Sequence, residues 1–303
     1  MREPARKSAL DYIFVLRPVL MPPVWTAFLL GNGFRATHLP QHVSEPLVLG
    51  FVMLFLLFGG VYLLNQYFDV KTDRQNRKLH FFPLGLITKR EARVYYLVLN
   101  VLAIALAYAV SLRVLLVALM VAVLGVAYSA DPWRWKDRGY PALWANAAAH
   151  GTLVFLAGWF ISGGKLGEGL LRSLPYFCAV GAIYILTTIP DTDGDERSGK
   201  RTLAVTLGRP RAARWALGWY WASILTAVYN IDLLFLLAAL PVAYLFMKAA
   251  SGDPDSAMRA VRWAVGLLSL VACIYFPWYL AVLAVGFLVT RRYYRWRFDL
   301  TYP

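Results

Sequence analysis

The sequence predicts an all-α integral membrane protein of about nine transmembrane helices, and three observations lead to that prediction. Of its 303 residues, 59% are hydrophobic and 16% are charged, whereas soluble domains carry about 25% charged residues. The apolar residues fall in long runs, as at 46–64 and 94–112, and a run of about 18 apolar residues is long enough to cross a bilayer. The runs lack the alternation of barrel strands, which leaves helices as the structure that satisfies the backbone in lipid.

The predicted spans follow one another without a long polar stretch, so the chain is expected to form a single membrane domain over residues 1–303. Nine spans would place the C-terminus on the opposite face from the N-terminus. Pro277 lies in the middle of the last run, and a break there would return the tail to the first face. The spans are 12–34, 46–70, 93–111, 114–131, 142–162, 170–190, 212–229, 231–250 and 261–290.

The formal net charge of +14 bears on orientation and on partners. The basic residues cluster in three connections between apolar runs, at 71–93, 132–141 and 196–214. Lys and Arg collect on the cytoplasmic side of membrane proteins, so the N-terminus and these connections are predicted to lie there, in an inner or plasma membrane. In a soluble protein the same charge would suggest nucleic acid; here no nucleic-acid partner is expected.

The first candidate site lies at the end of the second apolar run. Asn65, Asp69 and Asp73 are spaced four residues apart, so on a helix their side chains lie on one face. Two carboxylates at the end of a membrane helix repel each other, and a bound cation offsets the cost of placing them there. Mg²⁺ prefers such oxygen ligands and typically takes one or two carboxylates together with substrate phosphates.

The second acidic motif follows the sixth run. Asp191 and Asp195 have the same spacing if the chain is helical there, and Asp193 adds a third carboxylate. A single pair of this kind is more often a polar helix end that meets water. Two pairs on the same predicted face, each followed by basic residues, instead favour two Mg²⁺ ions that hold one diphosphate. The spacing of an EF-hand is absent from the sequence, and no pattern of Cys and His indicates zinc.

Basic and polar side chains near the motifs are candidates for binding the diphosphate, because fixed cations stabilise the charge that grows on a leaving diphosphate. Arg17 also meets this description, whereas His150 in the fifth run is more simply explained by packing. Orientation of the basic residues and interfacial packing of the tyrosine remain open as alternatives. The substrate-binding candidates are Asn65, Arg77, Tyr128, Ser129, Arg134, Lys136, Asn146 and Lys200.

These motifs resemble those of the UbiA superfamily of intramembrane prenyltransferases. That family carries N-x-x-x-D-x-x-x-D after its second helix and D-x-x-x-D after its sixth, which here are 65–73 and 191–195. Three further stretches agree with family patterns over a resemblance that covers about residues 10–290. They are 83–88 (P-x-G-x-I-S), 128–136 (Y-S-x-x-P-x-R-x-K) and 195–208 (G-D-x-x-x-G-x-x-T-L-P-V-x-L-G).

The resemblance implies a helical bundle around a central cavity and a Mg²⁺-dependent transfer of an isoprenyl group from an isoprenyl diphosphate to a membrane-soluble acceptor. It carries Asn65, Asp69, Asp73, Asp191 and Asp195 over as metal and diphosphate ligands, with the four aspartates as the catalytic residues. The acceptor is expected to be an aromatic quinone precursor or a lipid. The chain departs from the family pattern at two places. Residues 78–82 stand where the family usually has Arg-Pro, and Ala204 stands where it has Pro. These departures affect the prediction of the acceptor more than that of the chemistry.

Three other functions fit parts of the same pattern. A terpene cyclase of this superfamily would use the same metal site and release a cyclic hydrocarbon without an acceptor. A cation-binding transporter would line a pathway with the carboxylates and release no diphosphate. A structural membrane protein would be indifferent to substitution of Asp69 and Asp191.

Overall fold

The structure, a computed structural model, describes residues 7–36, 38–75 and 81–302, without the side chains of residues 71–75. The described chain is helical apart from turns and one isolated bridge between Arg138 and Arg201. Its α-helices are α1 (Ala9–Phe14), α2 (Met21–Gly33), α3 (Glu45–Gln75), α4 (Lys89–Val110), α5 (Leu112–Ser129), α6 (Gly139–Asn146), α7 (Val154–Ile161), α8 (Leu166–Thr187), α9 (Thr192–Arg197), α10 (Leu203–Leu207), α11 (Arg209–Asn230), α12 (Leu233–Ala249), α13 (Pro254–Tyr275) and α14 (Trp278–Phe298).

The helices confirm the all-α membrane class predicted from the sequence. By length and composition alone, six helical segments of the described chain can cross a membrane. The count of nine spans is not confirmed. The six segments are Ala9–Gly33, Glu45–Val70, Lys89–Val110, Leu112–Ser129, Leu166–Thr187 and Pro254–Tyr275.

The ends of the helices gather on two opposite faces of the bundle. On one face, Arg35 lies 3.8 Å from Glu168, Arg172 donates to the carbonyl of Asn230, and the backbone N–H of Gln41 donates to the carbonyl of Tyr275. We call this the far face. On the other, the amide of Gly139 donates to Arg201 O at 2.8 Å, and the ends of α3 and α8 arrive with their acidic motifs. We call this the site face.

Close backbone contact joins α2 to α7. A Cβ atom on Gly158 would lie 1.9 Å from Phe28 O, and one on Gly31 would lie 2.1 Å from Phe155 O. Each helix therefore needs a glycine where the other helix crosses it. Small residues of this kind let membrane helices approach closely and gain dispersion contacts that lipid does not supply.

The last apolar run, predicted as one span at 261–290, forms two helices. Helix α13 ends at Tyr275 on the far face, and α14 begins at Trp278 and returns to the site face. The break falls at Phe276–Pro277, because proline lacks the N–H that would continue the helix and disfavours a helical conformation in the residue before it. Phe276 has φ −131° and ψ 81°. The alternative of a run broken at Pro277 is therefore the correct one.

A buried carboxylate fastens the end of α14 to the N-terminal helix. Asp11 is 0% exposed, and Arg297 donates to its two oxygens from Nε at 3.0 Å and from Nη2 at 2.7 Å. The Tyr293 hydroxyl donates to Asp11 Oδ1 at 2.5 Å, and its ring stacks on Phe14. The paired, bidentate geometry satisfies a charge that would otherwise be expensive to bury.

Replacement of Asp11 by Asn is expected to lower the free energy of unfolding by about 3–5 kcal/mol, because it leaves the Arg297 guanidinium buried without its counter-charge. Thermal and denaturant unfolding in detergent, followed by tryptophan fluorescence, measures the loss. Asp255→Asn is the control, since Asp255 is an exposed residue in the first turn of α13 and its charge is worth about 1 kcal/mol or less. Equal stability of the two variants would contradict this account of the C-terminal helix.

Candidate active site

A polar pocket on the site face is lined by side chains from both acidic motifs. Helix α3 brings the first motif to it, and the turn after α8 brings the second. The pocket thus joins two stretches of chain that lie more than a hundred residues apart. The lining residues are Arg17, Asn65, Gln66, Asp69, Tyr128, Lys136, Tyr184, Thr187, Thr188, Asp191, Asp195, Lys200 and Thr202.

The first motif lies on the last turns of α3, which runs unbroken from Glu45 to Gln75. Asn65 and Asp69 both face the pocket, as expected of residues one helical turn apart. Asp73 belongs to the same helix, but its side chain is not among those that the structure describes. Arg77 lies outside the described residues.

Lys136 supplies the closest positive charge to this motif. Its Nζ lies 2.7 Å from Asp69 Oδ1 and 2.8 Å from Asn65 Oδ1. A short 3₁₀ turn, Trp135–Asp137, carries it, and Arg134 enters that turn with a left-handed φ of 37°. Burial lowers the pKa of Lys136 below its ordinary value, and the Asp69 carboxylate opposes that shift. The ammonium group thus holds a position between two oxygen ligands that also suits a metal ion.

The second motif forms a single helical turn. The amide of Asp195 donates to Asp191 O at 2.9 Å, so the two carboxylates share a face, and both line the pocket. Gly199 then adopts φ 74°, which glycine reaches without strain, and the reversal brings Lys200 Nζ to 3.6 Å from Asp195 Oδ1. Asp193 is different: its side chain is 71% exposed and pairs with Arg209 at 2.7 Å.

Other predicted site residues lie around the pocket rather than in its lining. Arg134 donates to Asp137 Oδ2 at 2.7 Å and stays 3.9 Å from Asp69. Ser129 is fully buried, and its hydroxyl has no hydrogen-bond partner among the residues described.

An apolar chamber continues from the pocket into the bundle. Arg17, Asn65 and Tyr128 line both spaces, so they mark the passage between them. Asn146, predicted as a substrate-binding residue, lines the chamber rather than the polar pocket. The remaining lining residues are Leu20, Phe58, Val61, Tyr62, Val121, Leu124, Gly125, Ala145, Ala149 and His150.

Some pocket residues were missed from the sequence. Tyr184 and Thr187 line it from the last turn of α8, and Thr188 from the C-cap position of this helix. Their spacing to Asp191 (i, i+3, i+4 and i+7) would have placed them on one helical face. Gln66 lies outside the four-residue spacing of the first motif, so the sequence gave no signal for it. In the structure it is buried and donates to the carbonyls of Val15 and Tyr62.

Arg17 is the basic residue best placed between the pocket and the chamber. It has a left-handed φ of 53° in the turn between α1 and α2, and its Nε has no hydrogen-bond partner in the described part of the chain. A non-glycine residue with a left-handed backbone is strained, and such strain is found mainly at functional sites. The guanidinium Nε of Arg17 could bind a ligand. From the sequence, Arg17 is one of the basic residues that could face the site.

The pocket can bind an anion together with a divalent cation. Three basic residues, Arg17, Lys136 and Lys200, line it with four oxygen-bearing side chains of the acidic motifs. Among the described residues, no three His, Cys, Asp or Glu side chains come together to hold a metal by themselves. Mg²⁺ in phosphate sites commonly takes part of its oxygen ligands from the bound substrate.

Comparison with known proteins gives one family and a consistent set of relatives. The UbiA prenyltransferase family matches residues 19–264. A digeranylgeranylglyceryl phosphate synthase from Thermococcus gammatolerans is 31% identical over 61% of this chain and 64% of its own length, so the chain spans just under two thirds of that relative. The enzyme of the same name from Thermococcus kodakarensis is 29% identical over 76% of this chain and 84% of its own.

The fold is shared with solved structures. A UbiA homologue from Archaeoglobus fulgidus, bound to GPP and Mg²⁺, superposes with a TM-score of 0.70 at 23% identity, covering 91% of this chain and all of that one. A structure of digeranylgeranylglyceryl phosphate synthase gives a TM-score of 0.67 at 17% identity, over 88% of this chain and 97% of that one.

Replacement of Lys136 by Met is expected to lower the free energy of unfolding by about 1–3 kcal/mol, because Asp69 and Asn65 lose their close partner in a buried setting. Millimolar Mg²⁺ is expected to stabilise the variant more than the wild type, since the ammonium group no longer competes for the same oxygens. Melting temperatures with and without Mg²⁺ measure both effects. Lys165→Met on the far face, where Lys165 is exposed, is the control; an equal Mg²⁺ shift in all three proteins would contradict the interpretation.

Proposed function

Because the chain belongs to the UbiA prenyltransferase family, we propose that it transfers an isoprenyl group from an isoprenyl diphosphate to a membrane-soluble acceptor, with Mg²⁺ as cofactor. The family match confirms the resemblance predicted from the sequence. One observation carries the proposal for this chain: oxygen ligands from two separate motifs, Asn65 with Asp69 and Asp191 with Asp195, face one pocket that also holds basic side chains.

The residues fit Mg²⁺. Their donors are carboxylate and amide oxygens, the ligands that this ion prefers, and the Lys136 ammonium already lies between two of them. The A. fulgidus homologue holds Mg²⁺ together with GPP. We propose Asn65, Asp69, Asp191 and Asp195 as ligands, with Asp73 completing the first motif. When bound, Mg²⁺ would neutralise part of the diphosphate charge and make it a better leaving group.

The basic residues of the pocket are proposed to bind and orient the diphosphate. Arg17 enters the pocket from the turn between α1 and α2, Lys200 from the loop after the second motif, and Lys136 from the turn after α5. Fixed cations aimed at the leaving group stabilise the charge that develops as the carbon–oxygen bond breaks. Tyr128 lies at the passage to the chamber, where it is proposed to contact the substrate near the bond between the diphosphate and the isoprenyl chain. Arg134, Ser129 and Arg77 are proposed as supporting residues.

The chamber is proposed to receive the first isoprene units. Its lining is mostly aliphatic and aromatic, which suits a hydrocarbon chain and keeps bulk water from the allylic cation. The orientation proposed from the sequence places the site face in the cytoplasm, since the connections 71–93, 132–141 and 196–214 carry most loop cations and belong to that face.

Two classes of acceptor for the isoprenyl group are considered. The prediction from the sequence is an aromatic quinone precursor or a lipid. The names of the relatives favour the lipid, because digeranylgeranylglyceryl phosphate synthases recur among them. We propose a glyceryl phosphate lipid as the first acceptor to test.

Asp69→Asn and Asp191→Asn are each expected to lower the rate of isoprenyl transfer about 100-fold or more, because a lost carboxylate weakens both metal binding and leaving-group stabilisation. The assay incubates purified protein in lipid nanodiscs with geranylgeranyl diphosphate, Mg²⁺ and an acceptor, and quantifies products by mass spectrometry. Asp193→Asn is the matched control, since Asp193 is exposed and paired with Arg209.

The acceptor panel contains a geranylgeranylglyceryl phosphate and 4-hydroxybenzoate, and one reaction contains no acceptor. The proposal expects an alkylated acceptor and free diphosphate, both dependent on Mg²⁺. A cyclic hydrocarbon in the reaction without acceptor would instead indicate a cyclase. Wild-type rates in both aspartate variants would refute the proposed site.

A further inference from the structure

A His–Tyr pair lies in the chamber and has no role in the metal site. His150 and Tyr62 line a space that is otherwise mainly apolar. Ionisable side chains within a membrane bundle are functional candidates by default, because their burial is costly. From the sequence, packing is the simpler explanation of His150, and its surroundings in the structure differ from those of a residue that serves packing alone.

The backbone that presents His150 is unusual. Residues Ala147–Leu153 form a π-helical turn between α6 and α7, and such turns are frequent at functional sites. A histidine carried by such a turn is therefore a candidate for a functional role.

The other ring nitrogen makes only a weak contact. Nε2 lies 3.4 Å from the Tyr62 hydroxyl, which lies 3.3 Å from Leu20 O. Both distances are beyond the ordinary range of a good hydrogen bond. The imidazole also packs on Phe58, with ring centroids 4.8 Å apart. The pair is therefore held in place by its apolar neighbours, while Nε2 is free to exchange Tyr62 for a stronger partner.

The depth of the pair matches the place where bond formation must occur. Helix α3 presents Asp69 and Asn65 to the polar pocket and Tyr62 and Phe58 to the chamber. Along the helix axis, Tyr62 is about 5 Å below Asn65 and about 10 Å below Asp69. The C1 atom of an isoprenyl diphosphate is bonded to the phosphate oxygen, so with the diphosphate in the polar pocket C1 would lie at the passage, between the proposed metal ligands and His150.

We propose that His150 is the catalytic residue that binds the acceptor, and that the acceptor presents a hydroxyl group to it. The inference rests on the proposed isoprenyl transfer. A lone pair of the acceptor oxygen forms the new bond to C1, while the C1–oxygen bond of the isoprenyl diphosphate breaks and its electron pair leaves with the diphosphate. The hydroxyl proton passes to His150 Nε2, and the product is an ether.

A hydroxyl acceptor explains the need for a base in the chamber. An alcohol oxygen that attacks a carbocation must lose its proton, and a neutral imidazole within hydrogen-bond reach accepts it. The nearby carboxylate of Asp69 is engaged by Lys136 and belongs to the proposed metal site. An aromatic carbon acceptor makes a weaker demand, because its ring proton is lost only after the new carbon–carbon bond has formed.

The test compares wild type with His150→Gln, which keeps a hydrogen-bonding side chain that does not act as a base at neutral pH. We expect the kcat of ether formation on a geranylgeranylglyceryl phosphate to fall about 100-fold, the usual range for a lost general base. The affinity for geranylgeranyl S-thiolodiphosphate with Mg²⁺, measured by calorimetry, is expected to stay within about twofold, because the diphosphate contacts lie elsewhere. His42→Gln, an exposed histidine of the loop before α3, is the matched control.

Each outcome decides between the two proposals. If wild type and His150→Gln form ether at equal rates, the role of His150 is refuted while the proposed transfer stands. The same conclusion follows if His150→Gln weakens binding of the thiolodiphosphate as much as it slows transfer, or if wild type alkylates only the aromatic carbon of 4-hydroxybenzoate. If wild type neither binds the thiolodiphosphate with Mg²⁺ nor alkylates any acceptor, the proposed function itself fails. Melting temperatures of both variants confirm that they are folded.

Discussion

Carboxylates from two separate helix ends share one pocket at the edge of the membrane, and the arrangement depends on the cations that compensate them. Asp69 is held by Lys136 at 2.7 Å, and Asp195 has Lys200 at 3.6 Å. Without positive partners, like charges in a partly buried site would raise each other's energy and push the helix ends apart. The lysines therefore stabilise the carboxylates in the absence of a ligand, and the same carboxylates remain suited to bind a metal ion while the lysines contact a diphosphate.

Close contact between α2 and α7, which lie far apart in sequence, helps to fix the bundle around this site. Reciprocal glycines let α2 and α7 touch through their backbones, which carries the first and fifth predicted spans close together. The interior below the acidic motifs remains open as a chamber lined by α3, α5 and the π-helical turn. Helix α14 lies beyond the stretch that matches the family, residues 19–264, and closes over α1 through the buried Asp11–Arg297 pair.

Much of this was predictable from the sequence, and the exceptions have physical causes. Apolar length marks a membrane helix well, so the predicted spans 93–111 and 114–131 agree with Lys89–Val110 and Leu112–Ser129 to within a few residues. Helical spacing placed Asn65 with Asp69 and Asp191 with Asp195 on common faces. Apolar composition is the same for one long helix and for two antiparallel ones, so composition alone left the outcome at Pro277 open. The contact of Lys136 with Asn65, across 71 residues, and the passage formed by Arg17 are long-range features that no local pattern encodes.

The most direct test of the central claim is an experimental structure of the protein with geranyl S-thiolodiphosphate and Mn²⁺, whose anomalous scattering locates the metal. The account predicts manganese between the oxygens of Asp69 and Asp191 with the diphosphate bridging the two motifs, Lys136 turned from Asp69 to a phosphate oxygen, and the hydrocarbon in the chamber towards His150. Manganese bound outside the pocket, or a diphosphate that contacts only one of the two motifs, would contradict it.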